Sequence, residues 1–134
     1  MRKIFALILA VSMLLTLTAV AASAEGEVYN VAYLVNGNLG DKSFFDSAEA
    51  GLAALADAGR IEYVTIEMGG TDEDQPTWLS TLYDVSASEE YDVIICGTYQ
   101  MPDYLKEVAT AYPDQKYVIF DETPMSARMQ TFST

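Results

Sequence analysis

Apolar residues return along this chain in two alternating rhythms. Four short runs, Val28 to Val35, Ile61 to Met68, Val93 to Cys96 and Tyr117 to Phe120, are rich in β-branched and aromatic residues and have the length of strands. Between them, over Phe44 to Ala58, Pro76 to Ser86 and Met101 to Tyr112, apolar positions recur every three or four residues, the spacing of one helical face. Strands alternating with helices of about 10 to 15 residues build βαβ units, whose right-handed crossovers lay the strands parallel. The pattern predicts an α/β fold, a parallel sheet with flanking helices, in the flavodoxin-like order 2-1-3-4-5, with a short last strand over Ala127 to Phe132.

The helical stripes say which way each helix faces. Met101, Leu105, Val108, Ala109 and Tyr112 line one side of the third helix; Leu79, Leu82 and Val85 line the second, where Pro76 suits the first turn. Trp78 lies beside that second stripe and is read as core packing ahead of ligand stacking. On the first helix Phe45, Ala48, Leu52, Leu55 and Ala56 share the face expected to meet the sheet. Phe44 is rotated about 100° from Phe45, which leaves it at the stripe's edge and able to face the sheet's C-terminal rim. Phe45 is read as core; for Phe44, core edge and stacking platform both stay open.

In an open α/β sheet, ligands gather where loops leave the strand C-termini, because backbone N–H groups and helix dipoles converge there. The first such loop, Val35 to Ser47, reads V-N-G-N-L-G-D-K-S-F-F-D-S. Gly37 and Gly40 permit positive φ in a tight turn. Ser43 and Asp46 have capping-box spacing, making Ser43 the N-cap and Phe44 the first helical residue. Asn36, Gly37, Asp41, Ser43 and Phe44 are the candidate ligand contacts of this loop. After the third strand, Gly97 allows close backbone approach, and Thr98, Tyr99 and Gln100 offer polar groups; an ordinary strand-to-helix turn, with Met101 or Pro102 starting the helix, is the competing account. Asp121 ends the fourth strand, where its carboxylate would face the same rim; capping or a solvated loop is the competing account. The acidic Gly69-Gly70-Thr71-Asp72-Glu73-Asp74 loop lacks calcium-loop spacing, so its charges are read as dipole partners of the next helix and solvated surface.

Catalytic patterns do not emerge. The sequence contains no histidine, and its single cysteine, Cys96, therefore lacks the base that would activate it as a nucleophile. With so few soft ligands, a transition-metal site is not expected. Asp41 and Asp46 stand five residues apart across a helix start and point in different directions. Neither a G-x-S-x-G elbow nor a Walker-type phosphate loop is present, and flavin binding lacks the phosphate-loop chemistry it needs. The expectation is a binding module without cofactor or metal.

The first loop also carries a family signature. G-x-x-x-D-K-S-F followed by A-x-x-G-L, directly after the first strand, resembles the basic membrane protein family of ABC-transporter substrate-binding proteins, whose characterised members include purine nucleoside receptors. The likeness continues through Y-D-V-I-I-C-G-T-Y-Q (Tyr91 to Gln100) and V-A-T-A-Y-P-D-Q-K-Y-V-I-F-D (Val108 to Asp121). It implies the N-terminal lobe of a periplasmic-binding-protein type I fold, a small polar or aromatic solute such as a nucleoside, and an ABC permease as partner. It implies also that Phe44 stacks on a base and that Asp121 touches ligand. Two positions depart: the family has asparagine where this chain has Phe45, and an aspartate near the end of the first strand where this chain has Val35.

The chain's beginning reads as a signal peptide, residues 1–24: basic Arg2 and Lys3, apolar Ile4 to Val20, and Ala22-Ser23-Ala24 as a cleavage site. The apolar run is shorter than the roughly 20 residues a membrane span needs. Many family members carry a lipid-bearing cysteine just after that run; here the stretch is L-T-L-T-A-V-A-A-S-A, which predicts a soluble exported product, periplasmic or at the cell surface. Cleavage would leave five basic against twenty acidic residues, a formal charge of −15, which argues against nucleic acid and anionic membrane as partners. What remains, residues 25–134, is about one domain's length and forms no intrachain disulfide. It matches one lobe of a two-lobed receptor, so the chain is expected to be either a fragment whose second lobe is missing or a stand-alone sensing or interaction domain.

Overall fold

The computed structural model describes residues 26–40 and 42–121, and within them the alternation holds. The elements are β1 (Tyr29–Val35), α1 (Phe44–Asp57), β2 (Ile61–Glu67), α2 (Gln75–Ala87), β3 (Val93–Gly97), α3 (Pro102–Ala111) and β4 (Lys116–Phe120). Every boundary lies within one residue of the expected one. The strands pair in the order β2-β1-β3-β4, all parallel, as expected for the first four; the anticipated fifth strand falls outside the described residues.

Sheet position explains strand composition. β1 is paired on both sides and covered on both faces, so Val31 to Val35 are all buried and the strand reads as an unbroken apolar run. β2 lies at an edge, where exposed Glu62 and Val64 alternate with half-buried Ile61, Tyr63 and Thr65.

Two cores sit on opposite faces of the sheet. On one, Ala32, Leu34, Ile94, Cys96 and Tyr117 meet Trp78, Leu82 and Val85 of α2 and Leu105 and Val108 of α3. On the other, Val31, Tyr33 and Val35 meet Leu52 of α1, with Phe45, Ala48 and Phe120 packed around them. Trp78 is 1% exposed and its indole Nε1 donates to Gly69 O at 3.0 Å, so the core reading holds and the buried N–H has its partner. Leu55 is a correction: it is 47% exposed rather than packed on the sheet. At about 100° per residue it stands roughly 60° from Leu52, the farthest of its stripe from the contact line. Ser86 and Tyr117 close the first core with a buried hydroxyl–hydroxyl hydrogen bond of 2.8 Å.

Candidate functional site

Strand register sets the site's floor. Val35 is level with Glu67 on one side and Gly97 on the other, and Gly97 is level with Phe120, so all four strands end in one row. The chain runs from β1 to β2 on one side and then crosses to β3 on the other. The loop leaving β1 therefore turns to α1 over one face, and the loop leaving β3 turns to α3 over the opposite face. Such a switch point opens a crevice beyond the strand ends, where α/β proteins bind ligands.

The loop from Asn36 into α1 is held by carboxylates. Asp46 accepts from Gly40 N and Lys42 N, both at 2.7 Å, and Glu67 at the end of β2 accepts from Leu39 N at 3.0 Å. Ser43 does occupy the N-cap, in extended conformation, but its side chain makes no capping bond to the helix. The expected capping box does not form: Ser43 supplies no side-chain cap, and Asp46 reaches past the N-cap residue to satisfy two earlier amides. Gly40 does need its freedom, with φ +100°, whereas Gly37 is required for space. A Cβ on Gly37 would lie 2.7 Å from Phe45 Cε2, and one on Gly70 would lie 3.3 Å from Gly37 Cα, so the first two loops close-pack through glycines.

Phe44 and Phe45 part as their 100° separation requires. Phe45 packs into the second core, edge-on to Phe120 at 6.5 Å between ring centroids, while Phe44 stands 62% exposed on the first turn of α1. Asp41 lies outside the described residues.

Beyond β3, Gly97 and Thr98 are buried, Tyr99 is 71% exposed and Gln100 half-buried. Gly97 does permit a close approach, but by the Phe120 ring: an added Cβ would lie 2.6 Å from Phe120 Cζ. Thr98 O accepts from Met101 N at 2.9 Å, making Met101 the N-cap and Pro102 the first residue of α3. Asp121 is exposed, with φ +57°.

Asn36 joins the two sides of the crevice. It is 4% exposed, its Nδ2 donates to Gln100 Oε1 at 3.0 Å across 64 residues of sequence, and its Oδ1 is a buried acceptor with no hydrogen-bond partner. Sequence alone placed Asn36 at the rim; pairing with Gln100 depends on β1 and β3 being neighbours and had no local signal.

Of the remaining groups, Asp74 takes Thr71 N at 2.9 Å and Thr71 Oγ1 at 2.7 Å, which lower its pKa and tie the acidic loop into a turn at the start of α2. Burial pushes the Cys96 thiol up to about 12, leaving it a protonated core group.

A rim of this kind, on this strand order and carrying the D-K-S-F loop, coincides with what comparison with known proteins finds. The family model described as ABC transporter substrate-binding protein, PnrA-like, matches residues 28–126. The chain belongs to this Bmp family. An uncharacterised lipoprotein of Pyrococcus horikoshii is 36% identical over 107 residues, covering 78% of this chain and 25% of that protein. Basic membrane protein A of Borreliella burgdorferi is 31% identical over 121 residues, covering 90% and 34%. Among solved structures, an ABC transporter solute-binding protein from Aeropyrum pernix K1 superposes with a TM-score of 0.66 at 29% identity, over 73% of this chain and 26% of that one. The four-stranded unit is accordingly a periplasmic-binding-type fold of an ABC substrate-binding family, and the chain spans a quarter to a third of the length of these Bmp relatives.

Proposed function

We propose that this chain supplies one wall of the ligand cleft of an exported solute-binding protein, which captures a small polar, aromatic, nucleoside-like solute for import by an ABC permease. Family membership and the crevice at the β1/β3 switch point support the reading. The observation that carries it is Phe44: a large aromatic ring, 62% exposed, on the first helical turn of a loop otherwise fixed by Asp46 and Glu67. A ring in that position can stack on a flat ligand. Asn36, Thr98 and Tyr99 would meet the solute's polar groups, with Ser43 and Asp121 at the margin and Asp41 a further candidate contact, while Gly37 and Gly97 would contribute by letting Phe45 and Phe120 pack beneath the rim. A second lobe, contributed by a longer protein, would close over this wall by a hinge. No step in this role requires catalysis.

Differential scanning fluorimetry of the full chain against nucleosides, free bases, sugars and amino acids tests the reading. It expects nucleosides to raise the melting temperature and Phe44→Ala to remove most of that shift. A sugar or amino acid that stabilises wild type and Phe44→Ala alike would overturn the stacking role. A panel that shifts nothing would favour a stand-alone interaction domain.

A further inference from the structure

We infer that the Asn36 carboxamide selects the solute: its Oδ1 accepts a hydrogen bond from an N–H or O–H group of a neutral ligand, while Gln100 holds the amide so that oxygen is the atom offered. The inference rests on the solute-binding reading above and names the chemistry that site would recognise.

The unpaired oxygen of Asn36 is an exception to how buried side chains behave. Buried polar side-chain atoms almost always have partners, because an unmade hydrogen bond forfeits the solvation that burial removed. Asn36 Oδ1 has none, although Asn36 is 4% exposed and its Nδ2 is bonded at 3.0 Å. Its place in the fold gives the exception a reason. Asn36 is the first residue past β1, Gln100 lies in the loop past β3, and the bond between them spans the switch-point crevice from wall to wall. With Nδ2 donating to Gln100 Oε1, Oδ1 is the amide atom left over for a ligand. A group that pairs with Oδ1 is therefore a donor, and because Asn36 is 4% exposed it reaches the oxygen by displacing part of what covers it.

Ligand polarity follows from the oxygen itself. A carboxylate or phosphate brought to Oδ1 would set acceptor against acceptor. A neutral solute with an amide-type N–H or a hydroxyl satisfies the oxygen without that conflict. Sites built on buried polar groups discriminate strongly against analogues lacking the matching group, since those groups then stay unpaired.

The test is a cycle between protein and ligand. Titration calorimetry on the full chain would compare adenosine, inosine and uridine with analogues each lacking one donor: N-methylated bases and 2′-, 3′- and 5′-deoxyribosides. Wild type is expected to lose at least tenfold in affinity for one such analogue, and Asn36→Leu to reduce that ratio to about one. Gln100→Met, which frees the amide to rotate, is expected to narrow the ratio several-fold and provides the test if Asn36→Leu does not fold. The unliganded Asn36→Leu chain is expected to melt close to wild type, because the unpaired oxygen and the hydrogen bond to Gln100 are lost together. Ratios unchanged in both variants, with parent nucleosides still binding, would overturn the role of Asn36 and leave the solute-binding reading intact. An Asn36→Leu chain that melts several degrees lower or fails to fold, together with an unchanged ratio in Gln100→Met, would assign Asn36 to structure instead. A parent series that fails to bind wild type would overturn both readings.

Discussion

The ring of Phe120 lies against the α-carbon of Gly97, so close that a methyl group on the glycine would meet Cε1, Cε2 and Cζ within 2.6–2.8 Å. Gly97 and Phe120 are level across the β3–β4 pair, and the ring is braced by Tyr33 at 6.2 Å and Phe45 at 6.5 Å between centroids. The close approach that Gly97 permits is thus part of the wall beneath the rim.

Gly97→Ala should consequently destabilise the chain by about 1–3 kcal/mol, the usual cost of overpacking. Phe120→Leu, which removes the far edge of the ring, should recover part of that loss when combined with Gly97→Ala. Urea unfolding of the two single variants and the double gives the coupling; additive effects would show that the ring moves aside freely.

Asp46 makes a second prediction. Its carboxylate satisfies Gly40 N and Lys42 N at the entrance to α1, where Ser43 supplies no side-chain cap. Asp46→Ala should cost about 1–2 kcal/mol, in the range of a lost helix cap. Amide hydrogen exchange at Gly40 and Lys42 should quicken more than exchange in the body of α1, and Asp46→Asn should fall between the two.

Much of this architecture was legible because local rules and tertiary context agreed. The βα alternation, the parallel order of the first four strands and the buried stripes of α2 and α3 follow from periodicity, since each element's apolar pattern matches the surface it meets. Leu55 escaped because a stripe drawn on a helix does not say how wide the contact will be. Gly37 and Gly97 were seen as special, but their neighbours, Phe45 and Phe120, come from the pleat and the register rather than from adjacent sequence. The Asn36–Gln100 bond spans 64 residues and exists only once β1 and β3 are side by side. Rim residues were therefore readable as a set, and their pairings were not.

Cys96 supplies a prediction with a definite sign. The folded thiol keeps its proton up to about pH 12, whereas an unfolded one releases it near its ordinary value of 9.0. The neutral thiol's contribution is whole below pH 9.0 and is lost as pH rises towards 12, by up to about 4 kcal/mol at 1.36 kcal/mol per pH unit. Cys96→Val should flatten the fall in stability above pH 9.0, measured by chemical denaturation at several pH values. Tyr63, Tyr83 and Tyr117 also hold their protons above the usual range, Tyr63 and Tyr83 through hydrogen bonds to Glu49 and Glu107 and Tyr117 through burial, so a residual slope should remain in the variant. At pH 8 the native thiol should resist a disulfide reagent and react on unfolding; fast labelling of the native chain would show that the core opens locally.

Phe44 and Phe45 offer the sharpest contrast, because adjacent positions with the same side chain should respond oppositely. Phe45 packs against Phe120 and above Gly37, so Phe45→Ala opens a gap and should cost up to about 3 kcal/mol. Phe44 is 62% exposed, and Phe44→Ala should leave unfolding within about 0.5 kcal/mol of wild type. Stacking against a planar solute is worth about 0.5–1.5 kcal/mol, so the same change should weaken binding of a stabilising nucleoside by up to about tenfold. Phe44→Tyr, which keeps the ring, should retain most of that affinity, and Phe44→Leu should not. If Leu binds as tightly as Phe, the position contributes apolar area rather than a stacking face. If Phe44→Ala destabilises as much as Phe45→Ala, the ring belongs to the core and the cleft wall must be sought elsewhere along the rim.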